Sequence, residues 1–67
     1  MNGKDLRAAR LNAGLSLRQA AEVLGVPEQS IRRLEADLGV TPANAKKIAD
    51  YYGIQVTDLA AFEAEAA

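Results

Sequence analysis

Residues 14–35 read GLSLRQAAEVLGVPEQSIRRLE. Two apolar patterns at helical spacing stand back to back here, separated only by Gly25, Val26 and Pro27. Leu17, Ala20, Ala21 and Leu24 recur at i, i+3, i+4 and i+7, and Ile31 and Leu34 follow at the same spacing after the interruption. Ser16 with Gln19 three residues later is a capping-box pattern, so the first helix of the pair is expected over about 16–24. Gly25 stops it, and Val26 is an apolar pivot in the turn. Pro27 suits the first turn of a new helix, where its missing N–H is not needed. That second helix is expected over about 28–36, with Ile31 and Leu34 inward and Glu28, Gln29, Arg32 and Arg33 outward.

Working outward, the spacing predicts a helix from Gly3 to Asn12, with Asn2 as N-cap, Gly14 at C′ and a stripe of Leu6, Ala9, Arg10 and Ala13. Downstream, Asp37 to Val40 form a loop, and Thr41-Pro42 opens a helix that buries Ala45, Ile48, Ala49 and Tyr52 and ends at Gly53. Ile54 and Val56 pack beneath that turn. Thr57 is expected to cap a fifth helix through Leu59 and Phe62, fraying into an acidic tail over 60–67. Fourteen alanines and only three aromatic residues favour helices packed closely over a sheet. The expectation is a single all-α domain spanning 1–67, with no linker and no internal repeat.

With no cysteine and no histidine, the chain lacks disulfides, thiolate metal sites and the commonest general base, and no cofactor or metal is expected. No nucleophile and base stand together in the pattern, so an enzyme is the least favoured class. No apolar run approaches a membrane span, and MNGKDLRAAR lacks the apolar core of a signal peptide, so the expected location is the cytoplasm. The net charge is −1. Residues 1–60 carry eight bases against seven acids, a balance of +1, because Glu63 and Glu65 lie in the tail. Such a chain is neutral rather than basic, which by itself does not favour a polyanionic partner.

A helix, a short glycine-containing turn and a second helix with long polar side chains outward make a helix-turn-helix pattern. A major groove admits one α-helix, and its floor distinguishes all four base pairs by donor and acceptor pattern. Gln29 can pair with adenine, Arg32 or Arg33 with guanine, and Glu28 can accept from cytosine N4. The same four side chains would also serve as a plain solvated face.

LRAAR at 6–10, GLSLRQAAEVLGV at 14–26, SIRRLE at 30–35 and KKIADYYGIQVTDL at 46–59 together resemble the Cro/C1 (XRE) helix-turn-helix family of phage and bacterial repressors. The resemblance runs from Leu6 to Leu59, about four-fifths of the chain, without a gap. It implies a compact five-helix, lambda-repressor-like DNA-binding domain. It also implies that Arg10 and Glu35 form a buried ion pair joining two helices, and the place of Arg10 on an apolar stripe is a local hint of the same thing. Phosphate contacts fall to Ser16 and Arg18 at the start of the second helix, where backbone N–H groups suit an anion, and to Lys46 and Lys47, for which a solvated face is an equal alternative. Two departures weaken that side. Leu17 stands where many members have Gln, and the loop ADLGVTPAN holds no base. Non-specific DNA affinity is therefore expected to be low.

One such domain reads few base pairs, so a homodimer on a pseudo-palindromic double-stranded operator is expected. By resemblance Val56, Leu59 and Phe62 are its candidate contacts, with ordinary core as the competing reading. The leading expectation is a DNA-binding transcriptional regulator, a Cro-like repressor. The alternative is a protein-binding module on the same fold, such as an antitoxin or a recombination accessory protein, which the neutral charge and acidic tail would suit.

Overall fold

The computed structural model describes residues 1–61. Four α-helices, α1 (Gly3–Asn12), α2 (Leu17–Leu24), α3 (Glu28–Glu35) and α4 (Pro42–Tyr52), precede a 3-10 turn at Val56–Asp58, and no strand occurs among the described residues. The local reasons are those of the sequence. Asn2 Oδ1 accepts from the Asp5 amide at 2.9 Å, and Ser16 Oγ from the Gln19 amide at 3.1 Å. Gly25 and Gly53 close α2 and α4 in the left-handed region, with φ of 71° and 69°. That backbone carries little steric penalty only without a Cβ. Pro27 itself is the N-cap of α3, one position earlier than its expected place in the first turn.

The fifth helix departs from expectation. Thr57 is no N-cap, because Val56–Asp58 wind as a 3-10 turn and Leu59 is extended, with φ −81° and ψ 119°. Three bonds close that tighter turn: the Gln55 carbonyl accepts from the Asp58 amide at 2.9 Å, the Val56 carbonyl from the Leu59 amide at 3.1 Å, and Asp58 Oδ2 from the Gln55 amide at 3.0 Å. Helical backbone resumes only at residues 60 and 61. Phe62 and the rest of the acidic tail lie outside the described residues. These residues therefore account for four of the five expected α-helices.

The core gathers Leu6 from α1, Ala20 and Leu24 from α2, Ile31 and Leu34 from α3, and Ala45, Ile48 and Ala49 from α4. Val26 joins it from the turn, as its apolar side chain requires. Leu59 is fully buried and closes the bottom of this cluster.

The C-terminus of α3 meets the N-terminus of α1 at very close range. A Cβ on Gly3 would lie 2.2 Å from the Glu35 carbonyl oxygen, so only glycine fits there. Asp37, left-handed with φ 59°, turns the chain after α3 and accepts from the Gly3 amide at 2.7 Å. A carboxylate at the start of α1 also suits the positive end of the helix dipole. The glycine in this loop, Gly39, is not the left-handed residue; Asp37 is.

Candidate nucleic-acid interface

The helix-turn-helix is made by α2, the turn Gly25 to Pro27 and α3. It is held from behind by Arg10, a buried residue on the inner side of α1. Its Nε donates to Glu35 Oε2 at 2.7 Å and its Nη2 to Glu35 Oε1 at 3.0 Å, a two-pronged pair. Nη1 donates to the Leu15 carbonyl at 3.0 Å, so one side chain joins α1, the segment leading into α2, and the end of α3. The hydrogen bond to Glu35 raises the Arg10 pKa against the opposing cost of burial. Burial also pushes the hydroxyl of half-buried Tyr52 up, and the negative charge of Glu35 adds to that shift.

On the outer side, Gln29 is exposed in the first turn of α3. Glu28 and Arg32 pair with each other instead of standing apart: Arg32 Nη2 donates to Glu28 Oε1 at 2.9 Å. Arg33, also expected as a base reader, stands one residue further along the same helix. It is half-buried, and its Nε donates to the Gly39 carbonyl at 2.7 Å, tying α3 to the loop that follows. The reason is reach: the loop folds back past the last turn of α3 and brings a carbonyl to the guanidinium.

Beside Arg33 lies an open cleft of about 430 Å³ lined by Ser30, Gly39, Val40, Thr41 and Asn44. Ser30 is buried, and its hydroxyl accepts from Asn44 Nδ2 at 3.1 Å, linking α3 to the first turn of α4. Sequence reasoning missed this contact, although Ser30 stands four residues before Leu34 and so on the inward side of the helix.

At the start of α2, Ser16 is exposed and completes its capping box, accepting from the Gln19 amide while Gln19 Oε1 accepts from the Ser16 amide at 2.9 Å. Its hydroxyl proton can still donate outward. Arg18 lies 3.7 Å from Glu22, and Lys46 3.2 Å from Asp50, both exposed pairs four residues apart. Lys47 Nζ donates to the Gly25 carbonyl at 3.3 Å, across to the turn of the helix-turn-helix. A cation at the C-terminus of α2 is favoured by the helix dipole.

Of the candidate dimer contacts, Leu59 has no surface to offer, since its side chain is spent in the core, while Val56 is half-buried and Phe62 lies outside the described residues.

The sequence pattern of the helix-turn-helix family matches residues 6–59. This chain belongs to the Cro/C1-type (XRE) helix-turn-helix family. The match runs from Leu6 within α1 to Leu59, so it takes in parts or all of the four helices and not the α2 and α3 pair alone. A DNA-binding helix-turn-helix is accordingly what the outward face of α3 belongs to. No curated protein and no solved structure gives a significant match to the chain. No helix among the described residues is long and apolar enough to cross a membrane.

Proposed function

We propose that this protein is a sequence-specific transcriptional regulator that binds double-stranded DNA as a homodimer, a Cro-like repressor that occludes its operator in the cytoplasm. The observation that carries the reading is the exposed polar face of α3, Glu28, Gln29 and Arg32, within a Cro/C1-type helix-turn-helix. Gln29 reads adenine and Arg32 guanine in the major groove, where each two-pronged contact contributes about 1–3 kcal/mol of discrimination. Ser16 and Arg18 meet a phosphate at the start of α2, and Lys46 and Lys47 approach the backbone from α4. Two-fold pairing doubles a footprint too short to be selective alone. No cofactor enters this reading.

Selection from randomised duplexes at fixed moderate salt tests it. Enrichment of an inverted repeat with centres about one helical turn apart is the expected result. Affinity for the winner should fall when Gln29 becomes alanine, with base preference lost at one position per half-site.

One observation favours the second reading, a module that holds a protein partner. Arg18, Arg32 and Lys46 each face a carboxylate, so three of the five bases on the candidate DNA side are charge-paired within the chain, while Arg33 and Lys47 each face a carbonyl. A partner that co-purifies with the chain, together with no enriched duplex, would decide for that reading.

A further inference from the structure

Glu28 lies in the first turn of α3, the turn that leads into a major groove in this motif. A bare carboxylate there repels phosphate. Here it accepts from Arg32, one helical turn further along, and both side chains are substantially exposed, at 40 % and 60 %. An exposed pair of this kind contributes little to stability, so its effect must be sought in binding. The pair neutralises the most exposed base on the recognition helix, yet leaves the rest of the guanidinium fork able to donate.

We infer that Glu28 sets specificity by masking Arg32. On DNA that offers the carboxylate no donor, Glu28 keeps the charge of Arg32 engaged. At the right site a base amino group, cytosine N4 or adenine N6, takes up the carboxylate and frees the guanidinium for a neighbouring guanine. The inference rests on the DNA-reading function proposed above. Its physical basis is that non-specific binding is driven by cations that displace counterions from phosphates, and a masked cation displaces none. Lower non-specific affinity raises the ratio that matters in a genome of competing sites, and a repulsive element is a direct way to obtain it. Glu22 and Asp50 neutralise Arg18 and Lys46 in the same way, but from α2 and α4. Only on the helix that enters the groove can a base edge replace the carboxylate's lost partner.

A favourable interaction of Glu28 with the helix dipole is the plainer role, and it would move stability alone. The experiment separates the two with the full chain and the variants E28Q, R32Q and E28Q/R32Q. Each is titrated onto a random-sequence duplex and onto the duplex enriched by selection, over a series of salt concentrations. E28Q is expected to bind the random duplex on the order of tenfold more tightly at low salt, with a salt slope steeper by about 0.9, the value for one added phosphate contact. R32Q alone leaves the carboxylate bare and should weaken that binding, and the double variant, with neither charge, should lose the gain of E28Q. On the selected duplex E28Q should gain less, because the glutamine carbonyl still accepts from a base amino group, so the specificity ratio falls. Random-duplex affinity unchanged in E28Q overturns the inference, as does a gain that survives in the double variant, which would mark plain repulsion without Arg32. If the wild-type chain enriches no duplex, the base-reading function falls, while the cycle on random duplex still decides the mask.

Discussion

Arg10 is the residue on which the geometry of the recognition helix depends. Its side chain and that of Glu35 are 8 % and 10 % exposed, so neither charge has much water to fall back on when the other is removed. Arg10→Ala should therefore destabilise the domain by about 3–5 kcal/mol in denaturant titration, whereas replacing both partners with apolar residues of similar volume should be close to neutral. A loss well under 1 kcal/mol for the single variant would mean that solvent reaches the pair. Tyr52, beside the same charge, supplies a pH dependence. Its hydroxyl titrates above its ordinary value of 10.0 in the folded chain, through burial first and the Glu35 charge second. A group whose folded pKa is raised contributes stability that is fully present below the unfolded value and is lost as pH rises through the folded one. Stability should thus decline on the alkaline side, above 10.0, and Tyr52→Phe should flatten that limb of the profile.

Between elements, two glycines with different duties make a contrast that can be measured. Gly3 lets the start of α1 pack directly against the α3 backbone, and a Cβ there would strike the Glu35 carbonyl at 2.2 Å. Gly25 has open space around it and is required only for its left-handed φ of 71°. Gly25→Ala should cost about 1–2 kcal/mol from backbone strain alone. Gly3→Ala must separate two packed helices and should cost more, at or beyond the upper end of the roughly 1–3 kcal/mol typical of overpacking. Equal losses in thermal or chemical unfolding would show that α1 can shift away from α3 cheaply. Gly3→Ala should also weaken DNA binding, because α1 and α3 are clamped together by Arg10 just beyond this contact.

For the whole molecule the question is how a chain of net charge −1 binds a polyanion. Three basic side chains, Arg18, Lys46 and Lys47, are proposed to meet phosphates, and at about −0.9 per neutralised phosphate they set a limit near −2.7 for the salt slope of one protomer. The logarithm of the binding constant against that of salt should be no steeper than this limit. A much steeper slope would place more phosphates on the surface than these three side chains can meet. A shallow slope also means that specificity rests on base contacts and dimer geometry more than on general attraction, which suits a recognition helix with a masked arginine.

The sequence by itself determined the elements that depend on near neighbours. Capping boxes at Asn2 and Ser16, Thr41 with Pro42, and the left-handed glycines at 14, 25 and 53 act within a few residues, so the four helices and the turn between α2 and α3 were legible from spacing alone. The apolar stripes carried most of the core in the same way, although Ala13 is exposed and Tyr52 only half-buried, and Val26 was legible as the apolar pivot of the turn. The tertiary structure alone decided what each long polar side chain does once the helices are packed. Arg33 meets a carbonyl six residues away, and Lys47 one that lies twenty-two residues away. Leu59 turns into the core because its backbone is extended where a helix was expected. Such partners come from the path of the folded chain, and a flexible side chain takes whichever donor or acceptor that path brings within reach. Helical periodicity can place it on an outer face, but only the packed neighbours decide whether it is still available there.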